Sequence, residues 1–184
     1  MRLFAAVPLP ESGRDECAKV LADARATGWP VRWVKDDLAH ITLKFFGEVA
    51  PERLDVIAEA VESAAKGAEP MSLRLQSLGA FPTFRRPRVV WLGVDAPPSL
   101  ELLKDRVERF AEGIGFPPEG VPFRPHVTLG RVREGQRLPP GALESCGIEA
   151  GGGSFVADSV VLYESSLTAA GPEYTPRLSL TLGR

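Results

Sequence analysis

Histidine is scarce in this chain: 184 residues contain two. Cysteine is equally scarce, and Cys17 and Cys146 stand far apart with no C-x-x-C spacing. That argues against a disulfide framework and for a reducing compartment, the cytoplasm. No apolar run approaches the roughly 18 residues that cross a bilayer, so no membrane partner is expected. The apolar start, Leu3 to Leu9, is interrupted by Pro8 and is too short for a signal-peptide core; it reads as a strand. There is no excess of positive charge either. The formal net charge is −2, which excludes a global basic field drawing in long nucleic acid. Lysine is sparse, at 5 against 17 arginines among the 22 basic residues. Arginine makes forked bonds to phosphate, although genomic base bias yields the same ratio. The familiar metal spacings, H-x-H, H-E-x-x-H and a close cysteine pair, are missing. So is the G-x-S-x-G of a serine nucleophile, and neither cysteine is near a histidine in sequence. No metal and no cofactor are expected.

What is present is a chain with 44% apolar residues, enough to bury a core in one domain over residues 1–184. Its two histidines share one pattern: His40-Ile41-Thr42-Leu43 and His126-Val127-Thr128-Leu129. From the threonine and leucine content, a given histidine should be followed by Thr at +2 and Leu at +3 roughly 0.4% of the time. A lone strand histidine is usually structural. Two in identical contexts, being the only two, favour chemistry.

The spacing predicts strands at 2–7, 31–34, 38–46, 71–78, 89–94, 123–132, 155–163 and 178–182. It predicts helices at 11–26, 51–66 and 99–113, the last facing inward through Leu102, Leu103, Val107 and Phe110. Strands and helices mix without regular βαβ alternation, so the class is α+β. Each motif strand follows a strand and a helix, which points to two related halves. Alternation puts His40, Thr42, Lys44 and Phe46 on one face, with Ile41, Leu43 and Phe45 on the other. His126 and Thr128 likewise share a face. Arg131 has the opposite parity unless a bulge at Gly130 re-aims it.

Two imidazoles on two strands suit acid–base chemistry, because one can be neutral while the other is protonated. Threonine hydroxyls beside them can donate to an anionic oxygen, and phosphate is an anion of suitable size. A metal site remains the alternative, since imidazole is a common ligand, but further ligands would be needed.

The segments His40-Ile-Thr-Leu-Lys-Phe-Phe-Gly-Glu48 and Arg124-Pro-His-Val-Thr-Leu-Gly-Arg131 resemble the signature of the 2H phosphoesterase superfamily. Within it they are similar to the RNA 2′,3′-cyclic phosphodiesterase branch, also called 2′-5′ RNA ligase-like. The start Arg2 to Pro10, the segment Arg86 to Val94 and the tail Leu162 to Tyr174 fit the same branch. The resemblance implies a bilobal, pseudo-two-fold α+β fold. In it two antiparallel sheets surround a central cleft, helices lie outside, and two intertwined lobes each give one H-x-T-x motif. It implies metal-independent hydrolysis of RNA terminal 2′,3′-cyclic phosphate to a 2′-phosphomonoester, with weak reversible 2′-5′ ligation. His40 is then the proton donor and His126 the proton acceptor, with Thr42, Thr128 and Arg131 holding the phosphate. The implied partners are RNA ends bearing the cyclic phosphate, tRNA halves or nucleotides, bound by a monomer.

Further substrate contacts are sought in Lys44 and Phe46, and in the loop 79–88. Phe81 and Phe84 there offer stacking surfaces, and Arg85, Arg86 and Arg88 offer charge. Phe4, Tyr163 and Tyr174 read as packing residues. Two rival functions remain open: a phosphodiesterase for small cyclic nucleotides or ADP-ribose cyclic phosphate, and a nucleotide- or RNA-binding module without turnover.

Overall fold

The computed structural model describes residues 1–169 and 171–183. Strands β1 (Arg2–Pro8), β2 (Val31–Trp33), β3 (His40–Glu48), β4 (Met71–Phe81), β5 (Val89–Asp95), β6 (His126–Val132), β7 (Ser154–Ala157), β8 (Ser159–Thr168) and β9 (Gly171–Thr181) alternate with helices. The helices are α1 (Glu11–Ala26), α2 (Leu54–Ala65), α3 (Pro98–Gly113) and a single turn, α4 (Ala142–Ser145). The long helices form where apolar residues recur at helical spacing. In α1 these are Cys17, Val20, Leu21 and Ala24, all buried. In α3 the buried face is Leu100, Leu103, Val107 and Ala111. Leu102 and Phe110, expected to face inward, are 57% and 40% exposed. They lie one residue off the stripe that begins with Leu100.

The strands pair antiparallel in the order β7-β4-β5-β6-β3-β1-β8-β9, with β2 also on β6. The two expected antiparallel sheets are the two wings of this array. One wing, β3-β1-β8-β9, carries His40; the other, β7-β4-β5-β6, carries His126. They join at one Cα pairing, Ile41 with Val127. Beyond that seam, β2 takes over the edge of β6: Val31, Arg32 and Trp33 pair with Val132, Arg131 and Gly130. The Val34 amide donates to the Leu129 carbonyl at 2.8 Å. β2 thus holds the edge that β3 leaves after a single step, and the wings diverge. α1 packs on the β4–β7 side, and α2 and α3 pack on β8, β9 and β3. Buried side chains of both wings and of these helices make one continuous core.

The predicted strand 155–163 is two strands in different wings. β7 pairs β4, and β8 pairs β1. The chain changes wings at Asp158, whose carbonyl accepts from the Leu182 amide at 2.7 Å. A long β8–β9 hairpin takes in the residues between the predicted strands 155–163 and 178–182. Polar residues there hid the period-two signal, because this hairpin leaves much of its length to solvent.

Candidate active site

Both motif strands run through the same burial sequence. From His40 to Phe46 and from His126 to Val132, partly buried and buried residues alternate. Two consecutive buried positions then precede an exposed one. The doubled position is a bulge. On β3, Ala5 faces Lys44 but Ala6 faces Thr42, so Leu43 is unpaired. On β6, Val90 faces Gly130 but Trp91 faces Thr128, so Leu129 is unpaired. One extra residue reverses the parity of everything after it.

The bulges decide which side chains share the histidine face. On β6 the bulge brings Arg131 to that face, where its charge reaches Tyr174 of the other wing. On β3 it corrects the alternation. Phe45, 51% exposed, takes the position expected of Lys44 or Phe46 and stands 5.8 Å from Phe4 between ring centroids. Phe46 turns inward, edge-on to Phe116 at 5.1 Å. Lys44 is buried, donating to Glu108 Oε2 and to the Pro117 carbonyl, each at 2.6 Å. Glu108 also pairs with Lys104, which reaches Glu119 at 3.1 Å. Burial alone would raise the Glu108 pKa, but the bonds from Lys104 and Lys44 outweigh it and hold the carboxyl below 4.5. This network ties β3, α3 and the loop leading to His126 together behind the site.

Gly130 makes the second bulge fit. A Cβ there would stand 2.5 Å from Val31 Cγ1 and 2.9 Å from the Arg32 carbonyl. Gly79 does the same for Trp91, whose ring would be 2.1 Å from a Cβ. The indole can therefore lie across β4.

Antiparallel register about the Ile41–Val127 pair places His40 opposite Thr128 and Thr42 opposite His126. The two imidazoles are close enough that His126 lowers the pKa of His40. Each ring is oriented alike: His40 Nδ1 bonds the Leu38 carbonyl at 2.7 Å, and His126 Nδ1 bonds the Arg124 carbonyl at 2.6 Å. A carbonyl only accepts, so Nδ1 carries the proton and Nε2 is the free nitrogen. Burial holds both histidines below the ordinary 6.5, against the raising effect of those carbonyl bonds. Neither Thr42 nor Thr128 spends its hydroxyl on a partner among the described residues.

Aromatic rings wall each histidine. Around His40 stand Phe4 at 5.0 Å, Tyr174 at 5.4 Å and Tyr163 at 6.4 Å. Around His126 stand Phe81 at 5.0 Å and Trp91 at 5.8 Å. Sequence reasoning treated Phe4, Tyr163 and Tyr174 as packing and did not single out Trp91. The Trp91–Thr128 and Phe4–Tyr163 cross-strand pairings that place them depend on register. Phe81 therefore stands at the histidines, but Phe84 and Arg86 do not. They line a separate pocket with Arg85, Arg88 and Arg137. Among the described residues no three His, Cys, Asp or Glu side chains are grouped as metal ligands. Burial pushes the Cys17 thiol up to about 12, which makes it a poor nucleophile. No helix among the described residues is long and apolar enough to cross a membrane.

Two strands, each offering an imidazole and a hydroxyl across one seam, define a phosphoesterase of the two-histidine type. The LigT like Phosphoesterase family model matches residues 7–91 and 92–174, one histidine motif in each stretch, and the chain belongs to that family. It is 35% identical over 178 residues to the RNA 2′,3′-cyclic phosphodiesterase of Methanothermobacter thermautotrophicus, covering 95% of each chain. Among solved structures, TT0787 of Thermus thermophilus superposes with a TM-score of 0.83 at 28% identity, covering 99% of this chain and 98% of that one. E. coli LigT complexed with 3′-AMP superposes with a TM-score of 0.77 at 28% identity, covering 100% and 98%.

Proposed function

We propose that this protein opens the 2′,3′-cyclic phosphate at an RNA end by two-histidine acid–base catalysis, leaving a 2′-phosphomonoester. The observation that carries this reading is the pairing of Ile41 with Val127, which sets each histidine beside the other motif's threonine. His126 Nε2 accepts a proton from water as the water oxygen bonds to phosphorus. The bond from phosphorus to the 3′ oxygen breaks, and His40 Nε2 gives that oxygen its proton. One proton enters and one leaves, so the enzyme is restored by exchange with solvent. Two nitrogens on opposite sides of the phosphate suit an in-line displacement. Ring strain in the cyclic ester lowers the demand for a metal. Thr42, Thr128 and Arg131 are placed to receive charge on the non-bridging oxygens.

His40 must be protonated to act as an acid, yet burial and His126 lower its pKa in the free protein. The bound phosphate anion reverses that effect, because a negative charge beside an imidazole favours its charged form. The same two nitrogens serve ligation when a 5′ hydroxyl attacks in place of water: His126 takes the hydroxyl's proton, the new P–O5′ bond forms as the bond to the 3′ oxygen breaks, and His40 protonates that oxygen, leaving a 2′-5′ linkage. The match to the Methanothermobacter RNA 2′,3′-cyclic phosphodiesterase supports the RNA-end substrate, and likeness to a LigT complexed with 3′-AMP supports nucleotide binding.

The test is incubation of an RNA ending in 2′,3′-cyclic phosphate with the protein in EDTA. Conversion to a 2′-phosphate end is expected. Complete inhibition by EDTA would restore the metal alternative, and a 3′-phosphate product would reverse the leaving group.

A further inference from the structure

A cavity of about 630 Å³ opens away from the residues that line the histidines. It lies between the β4–β5 loop and the segment 136–144 that follows β6. Phe84, Arg85, Arg86, Arg88, Arg137 and Glu144 line it, with prolines from both loops. Four guanidiniums against one carboxylate give it a local positive charge that the whole chain lacks. None of the four has a hydrogen-bond or ion-pair partner for its guanidinium among the described residues. Like charges crowded without counterions cost stability. They fit a site that receives an anion.

Short backbone links tie this separate pocket to the strands that carry His126. Phe81, whose ring meets His126 edge-on, is followed at once by Pro82 of the pocket wall. The Arg88 amide donates to the Phe81 carbonyl at 2.7 Å, and the Val132 amide donates to the Arg88 carbonyl at 3.0 Å. Arg131 on the histidine face is thus one residue from the strand end that anchors the pocket. Phe84, 43% exposed, offers a ring to solvent at the same place. Charged forks beside an exposed aromatic ring are the equipment for a single-stranded backbone with a stacked base.

We propose that this pocket is a subsite for the RNA strand upstream of the cyclic phosphate. Its arginines hold the preceding phosphodiester and Phe84 stacks a base, so the protein distinguishes an RNA end from a cyclic mononucleotide. The proposal rests on the RNA-end activity above and goes beyond it. It assigns substrate length to residues away from the reacting atoms.

The test compares kcat/KM on adenosine 2′,3′-cyclic phosphate with that on a hexaribonucleotide bearing the same end, at low salt. The hexamer should be better by about tenfold or more. In an Arg86→Glu, Arg137→Glu double variant that ratio should collapse by about tenfold or more, while Arg86→Lys, Arg137→Lys keeps most of it. Anisotropy of a labelled hexamer ending in 2′-phosphate gives a second reading, with weaker binding and a shallower salt dependence in the Glu variant. An unchanged ratio together with unchanged hexamer binding overturns the subsite. No length preference in the parent protein also overturns it, as expected if the pocket takes an acidic protein segment. Should neither cyclic substrate be opened, the RNA-end activity fails, and the anisotropy arm still decides the pocket.

Discussion

Ile41 and Val127 are Cα partners, and through this one pairing the two wings of the sheet meet. Neither side chain can react. Their value lies in their neighbours, because antiparallel register crosses the motifs so that His40 faces Thr128 and His126 faces Thr42. The core-facing residues at the seam thus set the distance between the two groups proposed to act on one phosphate.

Acidity should separate the two histidines. Both lie below 6.5 in the free protein, chiefly through burial, and His40 also through His126. The kcat/KM profile reports the free enzyme. Its optimum should therefore lie below about pH 6.5, with both limbs belonging to the pair. In the complex the phosphate anion raises His40, so the alkaline limb of kcat should sit higher than that of kcat/KM. Coincident limbs would remove the role given to the anion. The lowered values also bear on folding. Each histidine, neutral when folded, contributes stability that is present above its unfolded pKa, near 6.5, and lost as pH falls through the folded value. The urea midpoint should drop on acidification through that window.

Gly130 allows no side chain. In Gly130→Ala, the new Cβ meets Val31 and the backbone carbonyl of Arg32, and a carbonyl in a strand cannot swing aside. The cost should be about 1–3 kcal/mol, as for other overpacked sites. That corresponds to roughly 3–10 °C in Tm. Arg131 is displaced with the bulge, so turnover should fall as well. Gly113→Ala, whose Cβ meets nothing within 4 Å, serves as the control and should leave Tm almost unchanged.

How far the sequence alone reached follows from the bulges. Helix stripes and period-two strands come from side-chain patterning, which local sequence carries. The residues nearest the seam, His40 and Thr42 or His126 and Thr128, precede the bulges, so alternation placed them. Lys44, Phe45 and Phe46 follow a bulge, and alternation misplaced all three. Only a glycine marks a bulge in sequence, and Gly130 did so for Arg131; β3 has no such marker beside Leu43. The wing change at Asp158 was hidden for the same reason. It depends on which strands lie alongside, not on the residues within 155–163.

Lys44, expected among substrate contacts, supports the strand from behind. Glu108→Ala should be more damaging than Lys44→Met. The first leaves a buried ammonium with only the Pro117 carbonyl, at a cost of about 3–5 kcal/mol. The second leaves Glu108 paired with Lys104, and only the neutral Pro117 carbonyl loses its donor. Urea unfolding of the two variants checks the order. Equal losses would show that the ion pair is incidental.

The division of labour between the histidines is open to a direct measurement. A substrate whose 3′ oxygen is replaced by sulfur has a leaving group that departs without a proton. On the oxygen substrate, His40→Ala and His126→Ala should each lose about 100-fold or more in kcat, with KM little changed. On the sulfur substrate, His40→Ala should recover to within about tenfold of the parent enzyme, while His126→Ala stays inactive, since water still needs its base. Recovery of His126→Ala in place of His40→Ala would reverse the two roles, and normal turnover of either variant on the oxygen substrate would contradict the two-histidine mechanism.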